Sequence, residues 1–184
     1  WFFSQLKLRR DLVKEYFGFG FMQAPNTIFN DIFQVNPGTI VSMDLSGKLE
    51  EHRYLQFSKE LTADEKFDID IFREDLEKSV KSQLISDVPL AAFLSGGIDS
   101  PLITALAKKS QNEINAFTLG VDNKSLDETD QATQYAKELN IVHYVDTIGS
   151  HDILKEIDAH FMRMSEPFGD YSSIPTYTIT KKAK

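Results

Sequence analysis

Leu90-Ala-Ala-Phe-Leu-Ser-Gly-Gly-Ile-Asp-Ser-Pro101 is the stretch on which the reading of this chain turns. Five apolar residues, Leu90 to Leu94, run into Ser95-Gly96-Gly97, and Asp99, Ser100 and Pro101 then open an apolar-periodic segment. That order spells a buried strand, a tight turn and a helix. Two glycines let the backbone bend and approach a ligand with no Cβ in the way. Backbone N–H groups at a helix start, with the positive end of the helix dipole behind them, favour an anion. Ser95 and Ser100 add hydroxyls, Ser100 is placed to serve as N-cap, and Pro101 suits the first helical position. Asp99 is a poor neighbour for bare phosphate and a good one for a divalent cation standing between it and phosphate oxygens. The plain alternative is a strand–turn–helix junction built of small residues. A Walker loop is excluded, since no Gly-Lys-Ser/Thr follows, and Gly18-Phe-Gly20 lacks the third glycine of a dinucleotide fingerprint.

Working outward, helical and strand-like segments alternate. Phe72, Leu76, Val80 and Leu84 repeat every four residues and predict an amphipathic helix before the strand. A helix over about 101–109 follows the turn. Asn115–Val121 and Ile141–Val145 predict two more strands. Between them Ser125 and Glu128 have capping-box spacing ahead of Ala132, Tyr135, Ala136 and Leu139. Ser150 is placed to cap a helix carrying Ile153, Leu154, Ile157, Phe161 and Met164, and a last helix starts near Ser172 or Ser173. Helices alternating with short buried strands predict an α/β fold, a parallel sheet with helices on both faces.

The first fifty-odd residues differ in character. Asp11–Phe21 predicts a short helix ending near Gly18–Gly20, and Pro25-Asn-Thr27 and Asn36-Pro-Gly38 are turn signals. Thr39–Leu45 and Leu49–Leu55 flank Ser46-Gly47-Lys48 as a hairpin. The charged stretch 58–70 is the expected linker, with Thr62 and Glu65 at capping-box spacing.

The chain has 184 residues, 41% hydrophobic and 26% charged, as in soluble globular proteins. A net charge of −8 argues against a dedicated nucleic-acid binder, and Lys181, Lys182 and Lys184 form the one basic cluster. There is no cysteine, which removes disulfides, zinc–thiolate sites and a cysteine nucleophile from this chain, and the four histidines are scattered. No apolar run approaches membrane-spanning length, and no signal-peptide pattern is present.

Ser95-Gly-Gly-Ile-Asp-Ser100 resembles the SGGxDS loop of the ATP pyrophosphatase (PP-loop) superfamily, of the adenine nucleotide α-hydrolase-like fold. Residues 71–184 resemble the front of the synthetase domain of glutamine-dependent asparagine synthetases. That likeness is carried by Phe93–Ser100, Phe117-Thr-Leu-Gly120, Asp127-Glu128 with Ala132 and Ala136, His143, Glu166-Pro-Phe-Gly-Asp170 and Ile174-Pro-Thr-Tyr177. Residues 1–57 resemble the end of the Ntn-type glutaminase domain of the same enzymes, through Ala24–Phe29, Asn36-Pro-Gly38 and Arg53-Tyr54-Leu55.

The resemblance implies that Leu94, Ser95, Gly96, Gly97 and Ser100 hold ATP and its pyrophosphate, and that Asp99 binds Mg2+. It also implies that the backbone of Leu119 meets the adenine, where periodicity alone makes Leu119 plain core, and that Gly120 lets the base lie on the backbone. Residues 166–173 fall near the acyl substrate; read by themselves they are a capped helix start with two solvated acids or an anion site. No catalytic residue is assigned.

The activity implied is conversion of aspartate to asparagine through β-aspartyl-AMP, with ammonia from glutamine and release of AMP and pyrophosphate, in a cytoplasmic enzyme that acts without nucleic acid or membrane. A homodimer of the parent goes with that reading. Rivals are an amidotransferase or lactam synthetase acting on another carboxylate, and an inactive nucleotide-binding module. The family's N-terminal cysteine is absent, and its downstream glycine- and acid-rich loop would fall after Lys184. An internal fragment of a longer enzyme is therefore expected, one that binds ATP weakly at best, does not turn over, and is partly ordered or self-associates.

Overall fold

A computed structural model describes residues 5–55, 66–111 and 113–184. The chain divides into two compact units: described residues up to 55 together with 163–170, and 66–162 together with 171–184. The sequence reading expected 71–184 to stay together. Instead the Glu166-Pro-Phe-Gly-Asp170 segment folds with the first unit, because its polar groups find partners there. Ile28 N–H and Gln34 Nε2 donate to the two oxygens of Glu166 at 2.7 and 3.3 Å, and Gly169 N–H donates to Gly20 O at 2.7 Å.

The first unit contains a 3-10 turn, Arg10–Leu12, running into α1, Val13–Phe19. Gly20 ends α1 at φ 79°, and its N–H donates to Tyr16 O. The left-handed conformation costs glycine little and closes the helix where the sequence stops it. Met22, Thr27 and Ile28 are buried, and the Thr27 hydroxyl donates to Ile32 O at 2.8 Å. β1, Thr39–Met43, pairs antiparallel with β2, Leu49–Arg53, the expected hairpin. Asp44 Oδ1 builds its turn by accepting from Ser46 N–H, the Ser46 hydroxyl and Lys48 N–H.

The second unit is built on β3, Ala91–Phe93, β4, Asn115–Val121, and β5, Val142–Ile148, parallel and in the order β3-β4-β5. α2, Ile69–Ser82, precedes the sheet; α3, Asp99–Ser110, and α4, Thr129–Glu138, make the crossovers; α5, Ser150–Phe161, and α6, Ser173–Ala183, follow. Strands laid down in one direction by right-handed crossovers put their connecting helices on one face. Ala92 packs with Val80, Ala107 and Ile114, while Ala116, its register partner, packs with Leu94, Ala132 and Ala136. α2, α3 and α4 therefore share that face. Small residues at the contact, Ala116 and Ala132 fully buried, let α4 lie close to the sheet. α6 covers the opposite face, where Phe93, Phe117 and Leu119 point and the Phe117 and Tyr144 rings stack at 5.0 Å. Helices thus flank both faces, as expected.

Several local expectations shift. α2 starts at Ile69, within the stretch 58–70 read as a linker, and Asp68 caps it, its carboxylate accepting from Asp70 and Ile71 N–H; residues 56–65, with the Thr62–Glu65 spacing, lie outside the described residues. α3 starts at Asp99, so Ser100 and Pro101 are its second and third residues and Ser100 is not the N-cap. Proline is still tolerated there, since the first-turn N–H groups lack helical partners anyway. The Ser125–Glu128 capping box does not form: Ser125 bonds Asn123 Oδ1, and Asp127 instead accepts from Thr129 N–H and hydroxyl. Gly149, not Ser150, caps α5, and β5 runs to Ile148 because its register with β4 continues to Val121.

Candidate functional site

The carboxyl end of β3, the loop 95–98 and the head of α3 stand beside the carboxyl end of β4, where ligands sit in open α/β sheets. Leu94, Ser95, Ser100, Thr118, Leu119 and Glu128 line one cavity of about 360 Å3 there, closed on the far side by Pro175, Thr176 and Ile179 of α6. Of the residues expected from sequence, Leu94, Ser95, Ser100 and Leu119 are brought together in it. Asp99 and Ser100 line a neighbouring apolar cavity between α2, β3 and α3. Gly97 is exposed on the loop, and Gly96 faces α4.

The loop spends some of its polar groups on itself. Ser95 N–H donates to Ser100 Oγ at 2.8 Å, and the two hydroxyls lie 2.8 Å apart. One hydroxyl proton is consumed in that mutual bond, which leaves the other free to point outward. Gly96 N–H donates to Glu128 Oε2 at 2.9 Å, and Gly97 N–H reaches Ser95 Oγ at 3.4 Å, a weak contact. Among the described residues no protein acceptor takes the N–H groups of Ile98, Asp99 and Ser100. Three donors and the start of a twelve-residue helix are thus left for a ligand.

A buried relay holds the base of the loop. The Thr118 hydroxyl donates to Leu94 O at 2.6 Å, and it lies 2.7 Å from His143 Nε2. With its single proton given to Leu94, Thr118 can only accept from the imidazole, so Nε2 carries a hydrogen. Burial lowers the His143 pKa below 6.5 and keeps the ring neutral near pH 7. Leu94, the last apolar residue before Ser95, is buried. Thr104, one turn into α3 and almost fully buried, returns its hydroxyl to Ser100 O at 2.7 Å. Both sides of the turn are tied down beneath the exposed donors.

Thr118 and Glu128 carried no assignment from sequence beyond the family pattern and the capping spacing. The legible signal was two acids, Asp127-Glu128, one short loop after β4. Gly120 corrects an expectation. A Cβ there would lie 2.7 Å from Thr129 Cγ2 and 3.1 Å from Asp127 Oδ1, so its side of the backbone faces the start of α4 and not the cavity.

As to Mg2+, no group of three or more His, Cys, Asp or Glu side chains is gathered for a metal among the described residues. Asp99 is exposed at the head of α3, and among the described residues no partner takes its carboxylate. One free carboxylate beside unspent amides suits an ion that keeps waters and is bound largely by substrate phosphates.

A parallel α/β unit with a serine–glycine turn between its first strand and helix places the chain in the class of open parallel-sheet α/β proteins, whose ligands sit at the carboxyl ends of the strands. The family model described as Asparagine synthase matches residues 71–184, and the chain belongs to that family. Asparagine synthetase [glutamine-hydrolyzing] 1 of Bacillus subtilis (strain 168) is 27% identical over 183 residues, 98% of this chain and 29% of its own length. Asparagine synthetase [glutamine-hydrolyzing] 3 of the same organism is 32% identical over 135 residues, 70% of this chain and 22% of its own. The chain spans less than a third of either relative. A glutamine-dependent NAD+ synthetase from Acinetobacter baumannii, solved with ADP, aligns with a TM-score of 0.47 at 15% identity, over 78% of this chain and 27% of that one.

Proposed function

We propose that this chain supplies the nucleotide-phosphate end of an ATP-dependent asparagine synthetase. The supporting observation is the Ser95–Ser100 turn, with unspent amides and a hydroxyl proton, in a chain whose residues 71–184 match the Asparagine synthase family. In the reaction the side-chain carboxylate of aspartate attacks the α-phosphorus of ATP. The bond to the β-phosphate breaks, pyrophosphate leaves, and β-aspartyl-AMP forms. Ammonia then attacks the acyl carbon and AMP departs.

The N–H groups of Ile98, Asp99 and Ser100 and the Ser95/Ser100 hydroxyl pair are placed to take the charge that gathers on pyrophosphate as it leaves. The fixed backbone beneath them means that little reorganisation is needed at that moment. Leu119 and Phe117 offer the apolar wall on which an adenine would lie. Asp99 would hold Mg2+, which when bound neutralises phosphate charge. Ammonia drawn from glutamine, a cytoplasmic setting and a homodimer complete the same reading. The first unit, with its hairpin, would then be the end of a glutaminase domain. Among the described residues no helix is long and apolar enough to cross a membrane.

The test uses the whole protein with ATP, Mg2+, L-aspartate and either glutamine or ammonia. AMP and pyrophosphate should appear one for one with asparagine, and hydroxylamine in place of ammonia should trap β-aspartyl hydroxamate. Pyrophosphate release that ignores aspartate but follows another carboxylic acid would reassign the acceptor. No release with any acid would leave a nucleotide-binding module.

A further inference from the structure

Among the described residues Glu128 is the one side chain outside the turn that bonds a turn amide, Gly96 N–H to Oε2 at 2.9 Å. The contact is built rather than incidental. A Cβ on Gly96 would lie 3.0 Å from Glu128 Cβ and 3.1 Å from Gln131 Cβ, so the first turn of α4 is seated directly on the Gly96 backbone. The start of α4 is itself fixed, by Asp127 accepting from Thr129 N–H and hydroxyl and by the tight approach of Thr129 to Gly120. Glu128 therefore reaches the turn from a rigid base, and it also lines the cavity with Ser95 and Ser100.

A carboxylate in a phosphate cavity repels the ligand unless it serves another purpose. The bond to Glu128 turns the Gly96 N–H toward α4, while the N–H groups of Ile98, Asp99 and Ser100 that follow take no acceptor among the described residues. A charge-assisted bond from a fixed acid sets that rotation before any ligand arrives.

We propose that Glu128 is a positioning residue, clamping the Gly96 peptide against α4 so that the donors after it are presented to an entering pyrophosphate group. This rests on the reading of the turn as a phosphate site. A neutral acceptor of the same shape should keep most of the clamp, and loss of the acceptor should release it.

The experiment compares wild type, Glu128→Gln and Glu128→Ala on two independent readouts: hydrogen exchange and chemical shift of the Gly96 amide, and binding of inorganic pyrophosphate by calorimetry. Expected are a protected Gly96 amide in wild type and Glu128→Gln, and its loss in Glu128→Ala. Pyrophosphate affinity should fall about tenfold in Glu128→Ala and stay within about threefold of wild type in Glu128→Gln. Tighter pyrophosphate binding in both variants would overturn the proposal, since the carboxylate would then be a competitor of the ligand. An unchanged Gly96 amide in Glu128→Ala would overturn it as well. A Gly96 amide that follows the variants, with pyrophosphate bound by none of the proteins, would uphold the clamp and overturn the phosphate reading of the turn.

Discussion

Asp99 and His143 sit close in space to the same turn and answer to different physics. Asp99 is exposed at the head of α3 and has no partner among the described residues, so its worth lies in a ligand. Asp99→Asn in the whole protein should abolish Mg2+-dependent pyrophosphate release while glutamine hydrolysis persists; unchanged synthetase turnover would refute the metal role. His143 is half-buried and hydrogen-bonded, so its worth lies in the fold. Its pKa is lowered by burial, so the unfolded chain takes up the proton first as pH falls. The stability it contributes is full above about 6.5 and drains away as pH falls from there through the folded-state pKa. Histidine NMR titration should place that pKa below 6.5, and His143→Gln should flatten the slope of unfolding free energy in that window. Thr118→Val keeps the shape and deletes both bonds of the relay. It should lower stability by about 1–3 kcal/mol in urea denaturation, because Leu94 O is left buried without its donor.

Elements are joined here through glycines used for approach. Gly120 lets Thr129, in the first turn of α4, come against the end of β4. Gly120→Ala pushes its Cβ into Thr129 Cγ2, and overpacking of that kind costs about 1–3 kcal/mol. Thr129→Ser keeps the hydroxyl for Asp127 and removes the methyl. The double variant should recover most of the loss in thermal denaturation; no recovery would mean that the strain arises elsewhere. At the other end of the unit, Asp68 caps α2 with two accepted bonds. Asp68→Ala should cost about 1 kcal/mol, read as a lower urea midpoint at constant slope.

Across the whole molecule, apolar side chains are left open to water in quantity. Ile71 and Phe72 of α2, Phe93 of β3 and Ile103 of α3 are each 43% or more exposed. An exposed face of this kind on and around the β3 edge favours association. The chain is expected to elute ahead of a 20.9 kDa monomer on calibrated chromatography, and to shift toward that size when Phe93 and Ile103 are both replaced by serine. Persistent monomer in the unsubstituted chain would refute this. Lys182 of α6 pairs with Asp146 of β5 at 2.6 Å, and the bond to Lys182 holds the Asp146 pKa below its ordinary value. A depressed carboxylate contributes above its unfolded-state pKa, so that pair should loosen only as pH falls below about 4. Both groups are well exposed, and its share of stability is small.

What the sequence determined was what is local. The Leu90–Pro101 string set strand, turn and helix; Asn115–Val121 set β4 to the residue; and hydrophobic period set the parallel sheet, because each such signal acts within one turn or one pleat. Tertiary structure decided which partner each polar group takes. Glu128, placed by spacing in a capping box, goes to the Gly96 amide; Gly120, read as room for a base, makes room for Thr129; and Glu166, four residues from Asp170 in sequence, answers to Ile28 and Gln34. The two glutamates act across 32 and 138 residues. Such partners and close approaches are set by which elements the fold brings together, since an amide takes whatever acceptor arrives beside it, and no local pattern records that.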